Sequence, residues 1–280
     1  MGFRHAAACP GLWLIRGVRR PRLLLVPEFT ELTWTIRPSL EEWAEVAAFE
    51  LPGVGEEPLP KGDPKELDRE LVMKRGLREV DDRGWDRFFI AADGWAVATA
   101  AKIARARRGA IAGMALGHAT MSFRREGERA AINAAVWDAM TQLLSQDHEA
   151  FIRYGIAQAT RGSIGEDLAQ RMIDRFPREL MLLGWERVTA DDEPFGDLLK
   201  ELDCPMLLAK HQGCLMCTDE GFEDAAAALP TARTLAVPDA PSTSADFARA
   251  IRAFCEELWP SAAEAAPRGA REPLSGTADG

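Results

Sequence analysis

The chain has 280 residues, 47% of them hydrophobic and 28% charged. That is enough to bury a core as one large domain, or as one domain with an inserted subdomain, and it excludes disorder or a fibrous architecture for most of the length. With 34 basic and 44 acidic residues the formal charge is −10, which argues against a nucleic-acid backbone or an anionic membrane as the main partner. No uninterrupted apolar run is long enough to cross a bilayer. Five cysteines are too few, and odd in number, for a disulfide scaffold, so a reducing cytoplasm is the expected location.

At the N-terminus a short apolar stretch is broken by Pro10 and Gly11 and closed by Arg16, Arg19 and Arg20. It reads as an extension over residues 1–20 rather than a targeting signal. Arg22–Val26, bounded by Pro21 and Pro27, has the pattern of a buried parallel strand. Helical spacing over Pro38–Glu45 is followed by a second strand, Val46–Glu50, and by a turn at Leu51-Pro52-Gly53-Val54-Gly55. The charged segment from Lys61 to Asp82 carries Leu67, Leu71, Leu77 and Val80 at helical intervals. Strand Phe88–Ala92, helix Val97–Ala106 and strand Ala110–Leu116 come next. Residues 131–203 are helical in pattern and interrupt the alternation, which resumes with strands at Met206–Ala209 and Thr234–Val237 and a helix at Ala245–Leu258. The expected fold class is therefore α/β, a mostly parallel sheet flanked by helices. Core segments over 21–130 and 204–259 enclose a helical insertion, and residues 260–280 read as a disordered tail.

Several strings resemble the α/β-hydrolase superfamily, in its capped epoxide hydrolase, haloalkane dehalogenase and esterase-like forms, over roughly Pro21 to Trp259. Phe49-Glu50-Leu51-Pro52-Gly53-Val54-Gly55 is similar to that family's F-D-x-P-G-x-G turn, and Ala92-Asp93-Gly94-Trp95-Ala96 lies where these enzymes carry the nucleophile elbow. Leu207 to Cys214 resembles the strand that leads to the catalytic acid, and Phe247 to Phe254 the closing helix. The resemblance implies a parallel core with a helical cap and a nucleophile–His–acid triad.

The residues depart from that triad. An elbow needs small residues two before and two after the nucleophile. Ala92 and Ala96 are that pair, which puts Gly94 at the nucleophile position. A second G-x-x-x-G string, Gly113 to Gly117, holds Ala115 where serine would stand and reads better as a strand. The acid position falls near Cys214, residues 238–245 contain no histidine, and Pro27-Glu28 replaces the oxyanion-side His-Gly. Ordinary acyl transfer through a triad is therefore not expected.

If the fold is right, Glu28, Trp34, Asp93, Gly94, Trp95 and His118 gather at the carboxyl ends of the strands, where such sheets bind ligands. Glu28 and His118 are the candidate catalytic pair for proton transfer or water activation; the blander reading makes Glu28 a loop salt bridge and His118 a backbone-bonded strand end. Trp34, Asp93, Gly94 and Trp95 are the candidate ligand-binding residues. His211, Cys214 and Cys217 form H-x2-C-x2-C. The strand between separates Cys204 from them, so no metal and no cofactor are expected. The leading expectation is a non-hydrolytic pseudohydrolase that binds a small apolar molecule or a partner protein, with homo-oligomerisation left open and neither nucleic acid nor membrane as partner. The alternative is a hydrolase-like enzyme for an ester, epoxide or related small substrate, working through a non-standard Glu/His site.

Overall fold

A computed structural model of the chain describes residues 20–28, 31–54, 69–121, 134–160, 166–190, 195–214 and 217–259. The expected tail, and the expected extension apart from Arg20, lie outside the described residues. Six strands, β1 (Arg22–Val26), β2 (Glu45–Ala48), β3 (Phe88–Asp93), β4 (Ile111–Gly117), β5 (Met206–His211) and β6 (Arg233–Val237), form an all-parallel sheet in the order β2-β1-β3-β4-β5-β6. Parallel neighbours require crossovers, and helices supply them.

The sheet is buried on both faces, and the pleat sorts its side chains with a period of two. Leu24 and Val26 of β1, with Phe88, Ile90 and Ala92 of β3, enter one core together with helices α2 (Arg69–Asp82) and α3 (Ala96–Ala106). Leu23, Leu25, Phe89 and Ala91 enter a second core that includes Leu40 of α1 (Arg37–Glu41) and Phe247, Ile251 and Phe254 of α10 (Ala245–Leu258). Five of the eight buried residues of helix α3 are alanine, and side chains that small let a helix approach the sheet closely.

Between β4 and β5 stand α4 (Ala134–Gln146), α5 (His148–Thr160), α6 (Glu166–Arg175), α7 (Arg178–Ala190) and α8 (Phe195–Lys200). These helices cover the sheet's carboxyl end through an aromatic group in which Trp137 and Trp185 stack at 4.1 Å and Trp95 meets Trp185 edge-on at 4.9 Å. Helix α9 (Asp219–Ala228) follows β5 and is capped by Thr218, whose hydroxyl accepts from the Gly221 N–H at 3.0 Å.

Most expected boundaries shift by one or two residues, and the largest change lies around α1 and β2. The helix predicted over Pro38–Glu45 ends at Glu41, and the strand predicted over Val46–Glu50 runs from Glu45 to Ala48. The Glu45 N–H bonds to the Pro21 carbonyl at 2.8 Å, which draws Glu45 into the ladder and turns Glu50 out of it. The Gly113 to Gly117 string lies within β4, as its strand reading requires.

Candidate functional site

Register alone brings the site together. Asp93 pairs with Gly117 and Gly117 with Ala209, so β3 and β4 end level and β5 runs two residues further, to His211. The next residue on β4, His118, donates its N–H to Ala209 O at 2.7 Å. It holds φ 46°, a left-handed conformation that costs a non-glycine residue on the order of 1–3 kcal/mol. Gly117 has to be small: a Cβ there would come within 2.5 Å of Asp93 Oδ1 and 2.6 Å of Pro241 Cβ.

The elbow survives as backbone. Gly94 has φ 54°, its N–H bonds to Gly117 O at 3.1 Å, and α3 begins directly after Trp95. No side chain leaves the turn. The Glu28 carboxylate, from the segment after β1, fills that space instead: a Cβ on Gly94 would collide with it, and Glu28 Oε1 accepts from the Trp95 N–H at 3.3 Å. Burial, and next the nearby Asp93 carboxylate, push Glu28 from an ordinary 4.5 up to about 8, against the opposing pull of His118 and of the Trp95 N–H. Glu28 is thus a neutral acid near pH 7, able to donate a proton or a hydrogen bond.

Behind it runs a chain of polar contacts. Asp93 is buried; its Oδ2 accepts from the Ser242 N–H at 2.9 Å, and its Oδ1 lies 2.8 Å from His118 Nδ1. His118 Nε2 lies 2.7 Å from His211 Nδ1. Burial alone would push Asp93 up, but the His118 charge, their hydrogen bond and the Ser242 N–H outweigh it and hold the carboxyl below its usual range. Burial alone would push His118 down, but the Asp93 carboxylate overrides it and carries the imidazole well above its ordinary value. The two form a buried carboxylate–imidazole pair in which each favours the other's charged form, with His211 Nδ1 within hydrogen-bond reach of His118 Nε2. Cys214 Sγ belongs to the same group: one donor atom from each of His118, His211 and Cys214 lies within 4.8 Å of the others.

These residues line a cavity of about 220 Å³ between the sheet's carboxyl end and the cap. Glu28, Asp93, Gly94, Trp95 and His118 are all on its wall, and the cap adds Met140, Phe151, Ile152, Leu168 and Trp185. Trp34 is not on it. Its indole N–H donates to Val26 O at 3.1 Å and its ring packs into the core on the other face of the sheet, with Ile36, Leu40 and Trp43.

No protein-family model and no curated protein matches the sequence. Solved structures do match the fold. A hydrolase from Oleispira antarctica superposes with TM-score 0.70 at 12% identity, covering 85% of this chain and 93% of that one. An esterase from a Rhodococcus species gives 0.67 at 18%, covering 86% and 94%. A bromoperoxidase from Bacillus anthracis gives 0.66 at 13%, covering 87% and 91%. This chain has the α/β-hydrolase fold.

Within that fold, Gly94 takes the left-handed position of the elbow, and residues 238–245 after β6 contain no histidine. That segment contributes the Ser242 backbone N–H to Asp93 instead. Sequence reasoning missed Ser242, and met His211 only as the first member of the H-x2-C-x2-C string that it set aside as a metal site. Strand β5 runs two residues past the expected Ala209, which carries His211 to the site; a backbone N–H leaves no mark on a sequence.

Proposed function

We propose that the protein is a hydrolase-like enzyme for a small, largely apolar ester, epoxide or related substrate held between cap and sheet. Glu28 and His118 serve in place of a covalent nucleophile and its base. The observation that carries this reading is the Glu28 carboxyl seated in the space the nucleophile's side chain would fill, against the amide of Trp95, the residue that caps α3. A group there meets the reacting carbon or its attacking water, and its raised pKa suits proton transfer near neutrality. Asp93 fixes the His118 ring through Nδ1, and Nε2 meets His211 Nδ1, through which its proton can be exchanged with the cavity that both rings line. The apolar cap lining supports an apolar substrate. The esterases and hydrolases among the fold's neighbours favour turnover over a binding-only role, for which Gly94 and the lack of a histidine in residues 238–245 speak.

The test is steady-state hydrolysis of short-chain aryl esters, an epoxide and a haloalkane, with Glu28→Gln and His118→Ala in parallel. Turnover that drops at least 100-fold in both variants, with unchanged folding by circular dichroism, is the expected result. Full activity in both would overturn the assignment. Silence across the panel, with an apolar fluorophore still bound in the cleft, would replace the enzyme with a binding protein.

A further inference from the structure

We propose that His118, His211 and Cys214 bind a single zinc-class divalent metal ion at the inner end of the cleft. The donors are two imidazoles and a thiol from two adjacent strand ends, β4 and β5, held side by side by the sheet register and by the His118 N–H bond to Ala209 O. One donor atom from each lies within 4.8 Å of the others, with His118 Nε2 and His211 Nδ1 at 2.7 Å. Zinc bonds imidazole nitrogen at about 2.0–2.1 Å and thiolate sulfur at about 2.3 Å. Its tetrahedral ligand atoms therefore sit roughly 3.3–3.8 Å apart. Small ring rotations that open the two nitrogens and bring the sulfur inward would meet that geometry.

Three further features are what a metal site requires. Metal-bound histidines donate their second ring nitrogen to a carboxylate, and His118 Nδ1 faces Asp93, which is itself fixed by the Ser242 N–H. Cys214 Sγ accepts from the Cys217 backbone N–H at 3.2 Å, a contact that favours thiolate. The mix of nitrogen and sulfur selects zinc over magnesium or calcium, which take oxygen ligands. The Cys217 thiol is directed at the Thr218 carbonyl, 3.9 Å away, so the site differs from the H-x2-C-x2-C reading of the sequence: His118 replaces Cys217.

Three protein ligands leave a fourth position, and all three side chains face the cavity that Glu28 also lines. The catalytic consequence rests on the hydrolase reading. With His118 Nε2 on the metal rather than exchanging a proton, a metal-bound water would be the nucleophile that Gly94 does not provide; its proton would pass into bulk solvent, and the protonated Glu28 would donate to the leaving oxygen. Attack on an ester then gives an acid and an alcohol, with water as the only co-reactant.

The experiment measures metal on the full-length chain. Purified protein is assayed for zinc by mass spectrometry, then stripped with chelator and titrated with cobalt(II). The expected result is one equivalent of metal and a four-coordinate cobalt spectrum with a thiolate-to-cobalt charge-transfer band. Cys214→Ser should lose that band, His211→Ala should bind at least 100-fold more weakly, Asp93→Asn should bind 10–100-fold more weakly, and Cys217→Ser should retain the metal. A folded wild-type chain that takes up neither zinc nor cobalt overturns the proposal, whatever the variants do. Hydrolysis by such a metal-free chain would leave the hydrolase reading standing without the metal; stoichiometric zinc with no hydrolysis would do the reverse.

Discussion

The Glu28 carboxylate and the missing side chain of Gly94 occupy the same space: the one is seated where the other would project, and the Trp95 N–H bonds to Glu28. The elbow's strained backbone is thus kept for an acid delivered from a different loop. Restoring the conventional residue should therefore harm the site. Gly94→Ser must place a side chain at φ 54°, at a cost of about 1–2 kcal/mol, and must push Glu28 off the Trp95 amide. We expect a modestly lowered midpoint in urea and loss of whatever turnover the wild type shows. A fluorophosphonate should not label the new serine, because residues 238–245 offer it no histidine. Labelling at a normal esterase rate would show that the site tolerates a triad after all.

Glu28 should also limit stability, with a definite sign. Its pKa rises from 4.5 to about 8 on folding, so the folded state holds its proton more tightly than the unfolded chain. The resulting stabilisation is complete below the unfolded value, falls as pH rises from about 4.5, and is gone once pH passes about 8. Glu28→Gln has no such dependence. The variant should gain on the wild type between pH 5 and 8, by on the order of 2 kcal/mol after allowing for the half-buried side chain, which is several degrees in Tm. Melting curves of both proteins at pH 5, 6.5 and 8 check it; a difference that shrinks with pH would mean that Glu28 is charged in the folded protein.

How much of this was readable beforehand differs by residue. Arg22–Val26 and Ala245–Leu258 have the bounds expected from apolar spacing, because strong local patterns and tertiary burial agree there. Gly94 was identifiable because an elbow constrains the size of its flanking residues, and Glu28 and His118 because strand ends in a parallel sheet converge. Trp34 was not: it stands in an irregular segment between β1 and α1, where no period of two or 3.6 says which face of the sheet a ring will join. The His118–His211 contact spans 93 residues and depends on the β4–β5 register, which no local pattern specifies. Cys214 was visible as a thiol, but its partner His118 is far away in sequence.

Gly117 is the position where register and site chemistry meet most closely. A methyl group there would fall 2.5 Å from Asp93 Oδ1 and 2.6 Å from Pro241 Cβ. Both neighbours are held: Asp93 by His118 and the Ser242 N–H, Pro241 by the turn that precedes α10. Gly117→Ala should therefore cost about 1–3 kcal/mol by overpacking and pull Asp93 away from His118. The expected signs are a lowered Tm and at least a tenfold loss of activity with the sheet intact by far-ultraviolet circular dichroism. An alanine variant as stable and active as the wild type would show that Asp93 can shift freely, and the carboxylate–imidazole clamp would lose its importance.

Trp185 couples the cap to the elbow. It stacks on Trp137, meets Trp95 and Phe151 edge-on, and donates its indole N–H to Thr141 Oγ1 at 2.6 Å while one side of it lines the cavity. Replacing it with alanine removes a buried indole and leaves Thr141 without that donor, a loss of about 3–5 kcal/mol for a large aromatic residue in a core. The damage should fall mainly on the cap, which supplies Trp137, Phe151 and Thr141 to this ring, although the aromatic group is continuous with the sheet core that holds Leu24 and Ile90. We expect KM for an apolar substrate to rise more than kcat falls, since Glu28, Asp93 and His118 are fixed from the sheet side. The near-ultraviolet circular dichroism of the stacked Trp137–Trp185 pair should also disappear. Trp185→Phe keeps an aromatic face toward Trp95 and should recover most of the binding. If kcat instead collapsed at unchanged KM, Trp185 would be acting on the elbow through Trp95, and the aromatic group would be positioning the acid rather than holding the substrate.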